Sequence, residues 1–432
     1  MMKILVKLLA LILFAAAQTA MAANHYVRAG ATGAKNGTDW TNAYTSLPVS
    51  LVRGDVYYIA TGNYPSYRFD DPQSGSLVIT IKKATEAAHG TDLGWQPAYG
   101  AGQAVFNSVL QFDRGYYVLD GQVRNEADWF DGDAYGFRVN HNNQDRNIVI
   151  SGGSSSSNIT VKYVFVDAIY KNLPSNTVRR YAIDTDTYGG SIATNLVFQR
   201  MYVYGSNNVW FLRTTNGAIV EYSASDGAAS NAANHGEIVN LYYSGNNAVI
   251  RYNYFRNAYK GNCGTALVAI TQANGLEFYG NIAYNFDSCD AAIGFNGYSS
   301  SNNKVYNNTF ILGGNYNAGT AFGSGTNNLV YNNLWINCTV DLKGTHDYNG
   351  FSDSNARGES HAKTNIPTSI FMNYVGGDFR LKSETTSGLA LPSPYNVDLL
   401  GTMRGTSGAW SLGAYQYTVL PLGPPGPPGP LS

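Results

Sequence analysis

Cysteine, charge and long apolar runs are all scarce in this 432-residue chain. Three cysteines, Cys263, Cys289 and Cys338, are too few to staple a chain of this size, so the fold must rest on a hydrophobic core. At most one bridge can form within the chain. Charged residues make up only 13%, and 28 Lys plus Arg stand against 29 Asp plus Glu. A net charge of −1 gives no long-range field for phosphate backbones, which excludes the usual nucleic-acid partners. No apolar run approaches the roughly 20 residues of a membrane-spanning helix, so no membrane span is expected. Good helix formers are scarce, whereas 47 Gly, 33 Tyr and 45 Asn are abundant. With 44% hydrophobic residues the bulk of the chain folds, and it turns often and stacks flat side chains.

The first 22 residues read as a Sec-type signal peptide of a bacterial protein. Lys3 and Lys7 flank the start of an apolar run over Leu8–Ala17, and Ala20-Met21-Ala22 supplies the small-x-small pattern of a cleavage site. Cleavage after Ala22 is expected, leaving an exported protein, secreted or held at the cell surface. At the other end, residues 418–432 contain Gly423-Pro424-Pro425-Gly426-Pro427-Pro428-Gly429-Pro430. Three collagen-like triplets are too few for a triple helix, so this Gly/Pro-rich tail reads as a stiff spacer.

Between them the chain repeats. Ile250-Arg251-Tyr252-Asn253, Phe278-Tyr279-Gly280-Asn281, Val305-Tyr306-Asn307-Asn308 and Val330-Tyr331-Asn332-Asn333 place an apolar residue three positions before an Asn. The Asn anchors are 28, 27 and 25 residues apart. Weaker copies, Leu196–Arg200 and Ala218–Ser223, carry another residue at the anchor. The composition of these units suits short strands joined by turns, so each unit is one rung of a coil. Rungs stack about 4.8 Å apart, which brings equal positions of successive repeats into columns. An Asn at one fixed position then forms an amide ladder, and Asn tolerates the left-handed backbone of such turns.

These units resemble the right-handed parallel β-helix of secreted bacterial proteins, the pectate-lyase-like superfold. The segments around Tyr26-Val27, Trp40, Gly54–Ala60 and Ile79–Ala84 resemble its N-terminal cap and first rungs. Asp398, Gly401, Arg404 and Trp410–Tyr417 resemble the closing motif of β-helix proteins with a C-terminal surface-anchor region. The resemblance implies an all-β solenoid over residues 23–417. That architecture hosts lyases, hydrolases, epimerases and adhesive rods, so function must come from a site.

Stacked rungs gather residues that are distant in sequence. His235, Cys263 and Cys289 precede their anchors by similar spacings and are expected in one column. A Cys263–Cys289 disulfide, free buried thiols and a His-Cys-Cys metal site are the three readings, and export favours oxidation over thiolate ligation. Asp184, Asp186, Arg213, His235, Glu237 and Arg251 are expected to line one face, with Asp184 placed level with Glu237 by taking Arg200 as an anchor. Such a face suits a lyase of anionic polysaccharides. Asp184, Asp186 and Glu237 would hold Ca²⁺, Arg213 would supply a cation, and His235 or Lys260 would abstract the proton. Paired carboxylates would instead suit hydrolysis. Tyr242, Tyr243, Tyr254, Tyr259 and Tyr298 are candidate sugar-stacking rings. Asp128, Asp131 and Asp133 lack the following Glu of a calcium loop and read as an acidic turn.

Asn234-His235-Gly236-Glu237 followed by Asn253-Tyr254-Phe255 is distantly similar to a segment of alginate lyases and chondroitinase B. The next rungs depart from it: Leu267-Val268-Ala269-Ile270 and Ile293-Gly294-Phe295-Asn296 contain neither base nor acid. The expected function is binding of an extracellular polysaccharide, with β-elimination as its catalytic extension. The rival is a surface rod or adhesin that does no chemistry.

Overall fold

The computed structural model describes residues 22–418 except 141–144, 169–180, 186–190, 230–235, 260–265, 287–290, 296, 313–316, 386–387 and 406–409. Three long sheets run its length. The first has 12 strands, from Asn24–Val27 to Thr345–Asp347, and the second and third have 11 each. Strands pair in parallel with the equivalent strand of the next rung, as Ile250 with Phe278, Phe278 with Val305 and Val305 with Val330. No α-helix occurs among the described residues. The chain is a parallel β-helix.

Alternation explains the strands. Ile79–Lys83 alternates buried and half-buried positions, with Ile79 and Ile81 pointing into the coil. Inside, like stacks on like: Phe69 lies 4.3 Å from Phe112, and Phe310 lies 4.1 Å from Trp335, ring over ring. Such offset aromatic columns add attraction beyond their buried area. A separate small core of Tyr26, Ala31, Trp40, Ala43, Ala60 and Ala84 forms the N-terminal cap.

The anchor asparagines form the expected ladder. The Asn253 amide donates to Asn281 Oδ1 at 3.0 Å, Asn281 to Asn308 at 3.1 Å, and Asn308 to Asn333 at 2.9 Å. Each amide also reaches back to a carbonyl of the preceding rung, and each anchor N–H donates forward to the next Oδ1. The ladder extends to Asn349, to which Asn333 donates at 3.0 Å. The expected left-handed conformation does not fall on the anchors. The left-handed residue is the one before the anchor, Tyr222, Tyr252, Gly280, Asn307, Asn332 or Tyr348, while the anchors are buried amides. At Gly280 a Cβ would sit 2.7 Å from the Tyr252 ring, so that ring packs over the glycine.

The weak anchor is likewise shifted by one. Tyr202 pairs with Ala224 and Ala224 with Tyr254, which aligns Met201, Ser223 and Asn253 and moves Arg200 off the column. Ser223 stands in for Asn: its N–H donates to Asn253 Oδ1 at 2.9 Å, and its Oγ accepts the Met201 N–H.

The C-terminal segment lies along the flank of the coil. Tyr395 packs edge-on against Tyr279 and Tyr306, both at 5.0 Å, and the Gly413 N–H donates to Asn332 O at 2.8 Å. Asp398 accepts the N–H groups of Leu400, Thr402 and Gln416, and the Arg404 guanidinium donates to Ser411 O and Gly413 O. These contacts fold the Asp398–Tyr417 motif into a compact knot.

Candidate functional site

The second sheet presents its outer side around the strands Arg146–Ile150, Tyr181–Asp184, Asn208–Asn216 and Glu237–Asn246. At the start of each of the last three strands two successive residues point into the core: Ala182 and Ile183, Val209 and Trp210, Ile238 and Val239. That bend turns the residues on both sides of the pair outward. One outer column is therefore Arg146, Tyr181, Asn208, Glu237, and the next is Val149, Asp184, Phe211, Asn240. A third contains Arg213 and Tyr242.

Contacts tie the columns together. Arg146 Nε lies 2.9 Å from Asp184 Oδ2, whose side chain is fully buried. Burial pushes the Asp184 carboxyl up to about 6, against the opposing pull of Arg146 and then Arg213. Burial likewise lowers Arg213, opposed by Asp184. Asn240 Nδ2 donates to Asn208 Oδ1 at 2.9 Å and lies 3.5 Å from Glu237 Oε2. Tyr181 stacks on Phe211 at 4.4 Å, and Phe211 leads to Tyr242 at 5.8 Å. Thr185 Oγ1 accepts the Arg213 N–H and donates to Arg213 O, fixing the level of that strand.

Four of the sequence-derived candidates thus meet: Asp184, Arg213, Glu237 and Tyr242. Their register differs from the expectation, since Asp184 is level with Phe211 and Asn240 while Glu237 is level with Asn208 and Tyr181. Arg251 is not on this face. It lies on the first sheet, paired with Glu221 at 2.6 Å and donating to Tyr279 Oη at 2.9 Å. Tyr254 is on the third sheet, 2% exposed, edge-on to Trp129 and hydrogen-bonded to Tyr415, so its ring is closed to a sugar. His235, Lys260, Asp186, Cys263 and Cys289 lie outside the described residues, as does the side chain of Tyr259.

Tyr243, one of the candidate rings, is exposed beside Tyr242, while Arg146, Tyr181, Asn208, Phe211 and Asn240 join the face without a sequence signal strong enough to name them. The spacing between second-sheet strands varies too much for simple periodicity to find them.

The residues do not fit Ca²⁺ at Asp184. Two guanidiniums beside its carboxylate repel a divalent cation, and Asp186, expected as its fellow ligand, lies outside the described residues. Among the described residues no group of three His, Cys, Asp or Glu is placed to hold a metal. The acidic turn is an ordinary one: Asp128 Oδ1 accepts the Phe130 N–H at 2.9 Å, and Asp133 pairs loosely with Arg138.

No protein family and no curated protein matches the chain by sequence. Solved structures do match by shape. Pectate lyase Pel9A is 12% identical with a TM-score of 0.59, covering 92% of this chain and 98% of that one. A mannuronic acid specific polysaccharide family 6 lyase from human gut microbiota is 12% identical with a TM-score of 0.38, covering 74% and 87%. PfbA, a surface adhesin of Streptococcus pneumoniae, is 13% identical with a TM-score of 0.37, covering 69% and 82%. The likeness to Pel9A concerns the fold: this chain shares with it the parallel β-helix that the sheet pairing shows.

Proposed function

We propose that the outer face of the second sheet, from Arg146 to Tyr242, binds an extracellular polysaccharide laid along the coil. The observation that carries this reading is the meeting of two part-exposed rings, Tyr181 and Tyr242, bridged by the buried ring of Phe211, with Arg146, Arg213 and Asn240 on one face. Sugar rings offer C–H faces to aromatic planes and hydroxyls to forked polar groups, and this face offers both. The rung spacing of about 4.8 Å is close to the length of one sugar unit, so successive rungs can meet successive units. Export by the segment 1–22 would place the protein where such polymers occur.

Cleavage by β-elimination is a second reading, favoured by one feature. Arg146 and Arg213, both part-exposed, flank the buried Asp184 carboxylate on this face. In that reading the guanidiniums would neutralise a uronate carboxylate and so acidify the neighbouring C–H. The test is direct. Incubation with alginate, polygalacturonate and chondroitin sulfate should give retention on affinity gels, and elimination adds absorbance from unsaturated products. Arg213→Ala should weaken retention at least tenfold. Absence of binding by the unaltered protein to every polysaccharide tried overturns the proposal.

A further inference from the structure

We infer that Tyr243 is a saccharide-stacking residue, its ring held out from the second sheet by a left-handed backbone; this rests on the polysaccharide-binding reading above. The strands Asn208–Asn216 and Glu237–Asn246 pair evenly as far as Arg213 and Tyr242, then slip in register before Thr215 meets Gly245. Within the slip, Thr214 has φ 54° and Tyr243 has φ 52°. A bulky residue in this conformation is strained relative to Gly.

At Tyr222, Tyr252 and Tyr348, packing offsets that strain for tyrosine. Left-handed Tyr252 is 5% exposed and stacks with left-handed Tyr222 at 5.1 Å, and left-handed Tyr348 stacks on His361 at 4.3 Å. Tyr243 differs, because its ring is 52% exposed. It meets Tyr242 edge-on at 4.1 Å, with the two hydroxyls 3.3 Å apart. Core burial therefore does not account for a tyrosine here, where Asn or Gly would fit the backbone better. The ring instead ends the aromatic series that runs from Tyr181 through Phe211 to Tyr242. With Arg213 and Asn240 on the neighbouring columns, this corner suits a pyranose whose C–H face covers the ring while its hydroxyls meet the polar groups.

Strain and binding make opposite demands on this residue, which gives the test. In the full chain, Tyr243→Gly should raise the thermal midpoint by about 2 °C while weakening affinity for alginate, polygalacturonate or chondroitin sulfate roughly tenfold. Tyr243→Ala should lose the same affinity without the rise, and Tyr243→Trp should keep binding within about threefold. If Tyr243→Gly and Tyr243→Ala bind as tightly as the unaltered protein while Arg213→Ala does not, Tyr243 has no such role and the polysaccharide-binding face stands. If the unaltered protein binds none of the three polymers, the binding face falls and this inference falls with it.

Discussion

Asn349 donates its side-chain amide to Glu359 Oε1 at 2.8 Å, and its backbone N–H to Glu359 Oε2 at 2.9 Å. Glu359 thereby ends the amide ladder. Every Asn before it finds its forward acceptor in the next Asn, and the last finds a carboxylate, with His346 Nδ1 2.9 Å away on the same oxygen that takes the amide. A polarised row of hydrogen bonds that ends on an acceptor-only group has no orphaned donor at its far end.

Removing that acceptor strands buried donors. Glu359→Ala should lower unfolding free energy by about 3 kcal/mol, whereas Glu359→Gln, which keeps one acceptor oxygen, should cost less than half of that. Urea denaturation of the two variants measures the difference. Equal losses would mean that the one oxygen Gln keeps does not serve as the acceptor and that the ladder needs both carboxylate oxygens.

Interior ladder positions should outweigh surface ones. Asn281→Ala deprives the Asn253 N–H and amide, Ile250 O and Asn308 Oδ1 of a partner in a fully buried setting, at a cost of about 3 to 4 kcal/mol. Asn327→Ala breaks an exposed contact to Asn302 and should cost below about 1 kcal/mol. Parallel denaturant titrations of the two variants read this contrast.

Asp184 should leave a signature in the acid range. Its carboxyl is raised from an ordinary 3.8 to about 6 in the fold, so the protonated form is the one the fold favours. The stability it contributes is complete below about pH 3.8 and is lost as pH rises through 6, on the order of 3 kcal/mol in all. Asp184→Asn removes this dependence. Stability measured from pH 4 to pH 7 should be flatter in the variant than in the parent, and parallel curves would contradict the assignment.

How much of this was legible beforehand depended on loop length. The anchors Asn253 to Asn333 repeat at near-constant spacing because the turn at that corner is short, so their column could be read directly. Asn349 escaped because its rung is abbreviated, only 16 residues beyond Asn333. Arg200 reads as an anchor because Met201 offers no amide at the true position, whereas Ser223, at the anchor of the next weak copy, performs the same bonding. On the second sheet, connecting segments of unequal length hide the register. Asp184 and Glu237 were therefore placed on the correct face but at the wrong relative level. The two-residue inward bend, which turns both Asn208 and Phe211 outward, has no counterpart in simple strand alternation.

Lys83 should behave as a buried amine without a carboxylate partner. It is 1% exposed, donates to the carbonyls of Ala84 and Tyr99, and burial lowers it from 10.5 to about 8. A lowered ammonium means that the fold gains stability from this residue as pH rises from 8 to 10.5. Lys83→Met should therefore stabilise the protein at pH 7 by on the order of 2 kcal/mol, and the advantage should shrink by pH 10.5. Thermal midpoints of variant and parent at the two pH values check the sign.

The binding face itself is tested most directly by hydroxyl-radical footprinting of the full chain with and without alginate, polygalacturonate or chondroitin sulfate. Protection should fall on Tyr181, Tyr242 and Tyr243 and leave Tyr58, Tyr331 and Met403 unchanged. Protection confined to the first sheet or the C-terminal flank, with the Tyr242 and Tyr243 rings oxidised as before, would contradict the account.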